Sequence, residues 1–179
     1  MRLLVPILLA FAGLVLVGVG VIATRPAEFV IQRSATFAAR PEVAFALVND
    51  FHAWDAWSPY AKLDPAMKVT YEGAPAGVGA TYGWSGDNKI GAGRMTIVES
   101  KPSEKIAIDL EFARPMAARN LATFTFVPDG AGTRVTWAMS GRNGFMGKAF
   151  GMVVNMDQLV GTQFEEGLAS MKALAEARQ

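Results

Sequence analysis

Few residues in this chain are equipped for chemistry. There is one histidine, His52, and no cysteine. Thiolate nucleophiles, disulfides, cysteine-held metals and sites built on several histidines are therefore excluded. Any metal would have to be held largely by oxygen ligands. His52, between Phe51 and Trp54, has a reference pKa of about 6.5, which suits a general base, although a structural or exposed histidine is the commoner case. Nothing in the sequence places a serine beside it to begin a triad. Asp87, Arg94, Glu99, Arg114 and Arg142 are the charges able to orient a polar ligand group; solvated strand ends are the more usual setting for all five. Gly77-x-Gly79 and Gly91-x-Gly93 do not open a helix after a strand, so neither is a phosphate loop. They read as bulges or bends of a curling sheet. No catalytic set and no cofactor is expected.

The elements that must position these residues are legible in the apolar spacing. Glu28 to Phe37 alternates loosely through Phe29, Ile31, Ala35 and Phe37. Arg33 interrupts that pattern and marks an edge strand. Arg40-Pro41-Glu42 opens a helix with proline in its first turn, buried through Val43, Ala44, Leu47 and Val48. Phe51 to Trp57 follows as a second short helix ending at Ser58-Pro59. From Met67 the period changes to two, with turns at Gly73–Gly79, Asp87-Asn88, Lys101-Pro102-Ser103, Arg114-Pro115-Met116 and Pro128-Asp129-Gly130. Six strands in succession with no helix between them predict an antiparallel meander rather than a parallel α/β sheet. Phe145 to Ala177 reads as one long helix, its stripe running through Ala149, Val153, Met156, Val160, Phe164, Leu168, Met171 and Ala175. Gly161 and Gly167 stand inside it, each costing about 1 kcal/mol relative to alanine; a bend in the helix or a close approach to the sheet would account for them. The fold class is α+β, a curved sheet gripping a long C-terminal helix.

With 17 basic and 16 acidic residues and a net charge of +1, the chain shows no basic stripe, so nucleic acid is not an expected partner. Its length suits one domain with a sizeable core. Leu3 to Thr24 is uncharged and flanked by Arg2 and Arg25. As a helix this stretch would span about 33 Å, close to the roughly 30 Å of a bilayer core. The apolar run exceeds the 7–15 residues typical of a signal peptide, which favours an uncleaved anchor over cleavage after Val21-Ile22-Ala23. The expected division is a transmembrane anchor in residues 1–25 and a globular domain in residues 26–179, placed outside the cytoplasm.

Phe51-x-x-Trp54-x-x-Trp57-Ser58-Pro59, Asp64-Pro65, Tyr71-x-Gly73, Gly77-x-Gly79, Trp84, Gly91-x-Gly93, Glu99, Pro102, Phe112, Thr133-x-Val135-x-Trp137 and Phe164-Glu165-x-Gly167-Leu168 carry a further signal. With the element order, they resemble the START-related helix-grip superfamily (SRPBCC), in particular its polyketide cyclase-like branch, over Phe29 to Lys172. The resemblance implies a sheet curled around the final helix, with an internal cavity. The residues expected to line it are Trp57, Tyr82, Trp84, Met95, Ile97, Ile108, Leu110, Phe112, Phe124, Phe126, Trp137, Met139, Met156, Val160 and Phe164. Taken singly, each is more simply core, with burial contributing about 1.5–3 kcal/mol; as a set they have the apolar, aromatic character of a ligand site. The leading functional expectation is a membrane-anchored domain that binds a hydrophobic small molecule or lipid without covalent chemistry. A cyclase or dehydratase using His52, Asp87, Arg94 or Glu99 is the second, and an accessory subunit of a larger membrane complex the third.

Overall fold

Alternation and turn chemistry produce a single antiparallel sheet, and one long helix lies across part of it. The computed structural model describes the backbone of residues 4–178 and the side chains of residues 11–178. In chain order the elements are α1 (Leu4–Thr24), β1 (Glu28–Phe37), α2 (Pro41–Asn49), two 3-10 helices (Phe51–Ala56 and Pro59–Lys62), β2 (Lys68–Gly73), β3 (Ala80–Ser85), β4 (Ala92–Lys101), β5 (Lys105–Arg114), β6 (Ala118–Asp129), β7 (Gly132–Arg142), α3 (Phe145–Phe150) and α4 (Met156–Glu176). The sheet order is β1-β7-β6-β5-β4-β3-β2. The first strand pairs with the last, and β1 lies at an edge as its broken pattern implied. Register shifts in β4 at Ala92/Gly93 and Ile97/Glu99 bend the strand, which helps the sheet curl.

The register aligns inward residues in rows across the concave face. One row runs Ile31, Met139, Ala122, Ile108 and Ile97, and the next Arg33, Trp137, Phe124 and Ile106. At the Phe37 end, α2 and the first 3-10 helix plug the sheet. The last-turn carbonyls of a helix have no partner within it, and here two indoles supply them. Trp54 Nε1 donates to Val48 O at 3.0 Å, and Trp57 Nε1 to Leu47 O at 2.9 Å. Asp50 starts the 3-10 turn by accepting from the His52 backbone N–H at 2.8 Å.

Two expectations about helices are corrected. Phe145–Ala177 is not one helix. The chain leaves helix after Phe150 and re-enters at Met156, where Asn155 Oδ1 accepts from the Gln158 N–H at 3.1 Å as a cap. Val153 is 82% exposed, so the apparent stripe merged two segments whose spacing matched by coincidence. Likewise, α1 forms, but among the described residues no helix is long and apolar enough to cross a membrane. The expected single-pass anchor, and the extracytoplasmic placement that depended on it, are set aside.

Arg33 breaks the alternation of β1 because its inward side chain holds α4. Its Nε donates to Glu165 Oε1 at 2.7 Å, and Nη1 and Nη2 donate to Asp157 Oδ1 and Oδ2 at 3.1 and 3.0 Å. Asp157, Gly161 and Glu165 recur every four residues and so share one side of the helix. A Cβ on Gly161 would collide with the guanidinium. The hydrogen bonds from Arg33 hold the Asp157 carboxyl below the usual aspartate range. A carboxylate lowered in the folded state contributes stability above its unfolded pKa and loses it as pH falls through the folded value. Wild-type protein should therefore lose stability more steeply than Arg33→Met as the pH drops below about 4. The difference should be modest, because the Asp157 side chain is 61% exposed. Urea midpoints across that range check this, and parallel curves would remove Arg33 from the acid response.

Candidate functional site

The concave face divides into a filled half and an open half. In the filled half Trp137 stacks on Phe164 of α4 (centroids 4.1 Å apart, planes at 13°) and on Phe124 (4.9 Å, 27°). Trp57 meets Trp137 edge-on at 5.6 Å, and Trp54 and Tyr60 approach at 6.5 Å. Gly167 lets α4 come down onto this cluster: a Cβ there would lie 2.8 Å from Trp137 Cζ3 and 3.1 Å from Pro59 Cδ. Burial alone pushes the Tyr60 hydroxyl up to about 12.

The open half lies toward the start of β1. α4 packs chiefly on β1 and contributes little over β3–β5. The row Phe29, Gly141, Asn120, Leu110, Met95 and Tyr82 and, below it, Phe112 and Trp84 thus lie largely beyond its cover. Most of these side chains are half-buried, as are Met156 and Val160 on the helix. Two clefts open at this rim. One, of about 500 Å³, is lined mostly from the convex side, by Glu28, Val30, Asp109, Arg119, Leu121 and Arg142 among others, with Phe29, Asn120 and Gly141 at its concave edge. The other, of about 620 Å³, includes Trp84, Gly93 and Phe112. Both are open to solvent and extend to the convex side, where Arg94 pairs with Glu111 at 3.1 Å and Arg119 pairs with Asp109.

Of the expected lining residues, Trp57, Tyr82, Ile97, Ile108, Phe124, Phe126, Trp137, Met139 and Phe164 lie within the buried core. Trp84, Met95, Leu110 and Phe112 are the half-buried members on the open half of the sheet, and Met156 and Val160 are half-buried on α4. The ionisable candidates are elsewhere. His52 is more than half exposed, stacks on Tyr71 at 4.1 Å and shares a 2.8 Å hydrogen bond with Asp50. Asp87 closes the β3–β4 turn by accepting from the Lys89 and Ile90 N–H groups. Glu99 pairs with Lys101 and Lys105, and Arg114 donates to Ser85 Oγ at 3.1 Å. Arg142 lies at the rim of the smaller cleft. Among the described residues no group of acidic and histidine side chains is arranged to hold a metal ion.

Two polar residues on this face escaped sequence reasoning. Asn120 becomes visible once the β6 alternation is extended two residues upstream of Ala122; its Nδ2 lies 3.8 Å from Met139 Sδ. Gln163, one position before Phe164, has its Oε1 buried without a partner among the described residues, an arrangement that costs about 1–3 kcal/mol. Tyr82, at the far side of the same face, is pushed up to about 12, first by burial and then by Tyr71 and Asp55, so it stays a neutral hydroxyl.

A curved seven-stranded antiparallel sheet holding a C-terminal helix, with supporting helices at one end, is the helix-grip architecture. The chain belongs to the polyketide cyclase/dehydrase and lipid transport family, whose model matches residues 28–176. Solved structures share the fold. Protein CV1439 from Chromobacterium violaceum is 16% identical, with 82% of this chain and 96% of that one covered at a TM-score of 0.60. The Aha1 dimer from Colwellia psychrerythraea is 14% identical, with 83% and 96% covered at 0.59. The di-domain ARO/CYC StfQ from the steffimycin biosynthetic pathway is 13% identical, with 85% of this chain and 52% of that one covered at 0.66. No curated protein matches the sequence significantly.

Proposed function

We propose that this domain binds a hydrophobic small molecule against the open half of its concave face. The observation carrying this reading is the half-buried apolar set Trp84, Met95, Leu110 and Phe112, which α4 leaves largely uncovered, with Met156 and Val160 half-buried on the helix itself. The family, and a solved relative named as an ARO/CYC protein, support a ligand-binding domain of this superfamily. Met95 on the sheet and Met156 on the helix give this region adaptability. The cyclase or dehydratase alternative gains little from the geometry. Its candidates His52, Asp87, Arg94 and Glu99 lie in loops, on the convex face or in surface ion pairs, not among the groove's apolar side chains.

Nile red, an uncharged dye that brightens in apolar surroundings, tests the reading. Wild-type protein is expected to bind it. Leu110→Glu, which places an unpaired carboxylate in the groove, should weaken binding by at least about tenfold. Val127→Glu on the exposed convex side should not. Equal binding by all three proteins would move the site elsewhere, and no binding by wild type would overturn the proposal.

A further inference from the structure

An edge strand is a template for another strand unless something blunts it, and the two edges of this sheet differ in that respect. At the β1 edge the Gln32 carbonyl accepts from Arg33 Nη1 at 2.8 Å, and just past the strand the Ala38 N–H donates to Glu176 Oε1 at 2.7 Å. At the other edge β2 pairs with β3 alone, and every residue of β2 except the half-buried Val69 is exposed. Hydrogen-bonded and non-hydrogen-bonded pairs alternate along an antiparallel ladder. The Ala74 N–H bonds to the Gly79 carbonyl, which makes Gly73 and Ala80 a non-hydrogen-bonded pair, so Lys68, Thr70 and Glu72 are the residues that bond to β3. The N–H and C=O groups of Val69 and Tyr71 therefore point away from the sheet. Among the described residues no other element bonds to them.

We propose that this edge pairs with β2 of a second copy of the chain, antiparallel about a two-fold axis at Thr70. In that register Val69 exchanges both backbone hydrogen bonds with Tyr71 of the second copy, and Tyr71 does the same with the second Val69. Lys68 then stands opposite Glu72 of the second copy, and Glu72 opposite the second Lys68. Both are non-hydrogen-bonded positions, where facing side chains come closest. Neither charge enters an ion pair within the chain among the described residues, so the edge is complementary to itself in charge as well as in backbone groups. Sliding the register by two residues either way keeps the backbone pairing but separates the opposite charges. The axis runs perpendicular to the sheet, so both concave faces stay on one side. Val69 and Tyr71, which stand opposite Trp84 and Tyr82, would then bring the two open halves edge to edge, whatever those halves bind. Only about five residues a side take part, against about 20–30 in a standard interface, so the dimer is of the weak, transient class.

Analytical ultracentrifugation of the full chain at low salt tests this. Wild type should shift from monomer at about 10 µM toward dimer by about 1 mM. Lys68→Glu or Glu72→Lys alone sets like charges opposite each other on both sides of the axis, and each should weaken association at least about tenfold. Mixed in equal amounts, the two single variants should recover a heterodimer of wild-type strength, since every facing pair is then of opposite sign. Register is read separately, because the chain has no cysteine of its own. Facing Cα atoms at a non-hydrogen-bonded pair lie about 4.5 Å apart, within disulfide reach. Thr70→Cys should therefore cross-link to itself under mild oxidation, and Val127→Cys, exposed on the convex side, should not. A wild type that stays monomeric at about 1 mM overturns the proposal, as does cross-linking that is no faster at position 70 than at 127. Association indifferent to both charge reversals, or a mixture no stronger than its components, would place the contact elsewhere, such as on the exposed apolar side chains of α3, and equally overturns it.

Discussion

Trp137→Ala is expected to lower folding stability by about 3–5 kcal/mol, a loss on the order of 10 °C in melting temperature for a chain of this size. Trp137 is 3% exposed and sits between Phe124 and Phe164, so its removal opens a cavity and also severs the contact through which α4 grips the sheet. Stacked and edge-on aromatic pairs contribute about 0.5–1.5 kcal/mol each beyond their buried area, and Trp137 takes part in several. Urea unfolding should show a lower midpoint with an unchanged slope. A loss below about 1 kcal/mol would mean that the surrounding rings collapse into the space and that the column is not a structural centre.

Gly167→Val should be the next most damaging change, by about 2–3 kcal/mol. Two effects oppose each other here. Replacing glycine inside a helix gains up to about 1 kcal/mol from the restricted unfolded chain. Against this, the new Cβ would meet Trp137 Cζ3 at 2.8 Å and Pro59 Cδ at 3.1 Å, and neither a stacked indole nor a proline ring can swing aside. For alanine the two terms nearly offset; the added methyls of valine make overpacking dominate. Thermal unfolding of the alanine and valine variants separates the effects. A valine variant as stable as wild type would show that α4 can lift away from the sheet without penalty.

Most of the architecture was legible in the sequence because alternation fixes which side chains share a face, and β2 to β7 alternate clearly. The helical end was misread because the spacing of Ala149, Val153 and Met156 continues across a break that is set by the Asn155 cap rather than by polarity. The anchor was inferred from the length and hydropathy of residues 3–24; among the described residues no helix is long and apolar enough to cross a membrane. At the candidate site, the apolar residues could be named from their parity, but the sequence could not say which would be sealed and which left open. That division depends on the lateral position of α4, which Arg33, Asp157, Glu165 and two glycines determine over sequence separations of more than a hundred residues. Gln163 was hidden for the same reason: an isolated amide beside a helix stripe has no meaning until the helix's orientation on the sheet is known.

The aromatic column also has a consequence for how this scaffold can diversify. Its rings and the plug formed by α2 secure the sheet at the Phe37 end, whereas Trp84, Met95, Leu110 and Phe112 are only half-buried at the other. Substitutions at well-separated positions act nearly independently, so exchanging side chains at the open end draws little on the stability held at the closed end. Such a chain can drift in what it recognises while remaining above the threshold for folding. Sequences that share only 13–18% identity with it can still share its backbone.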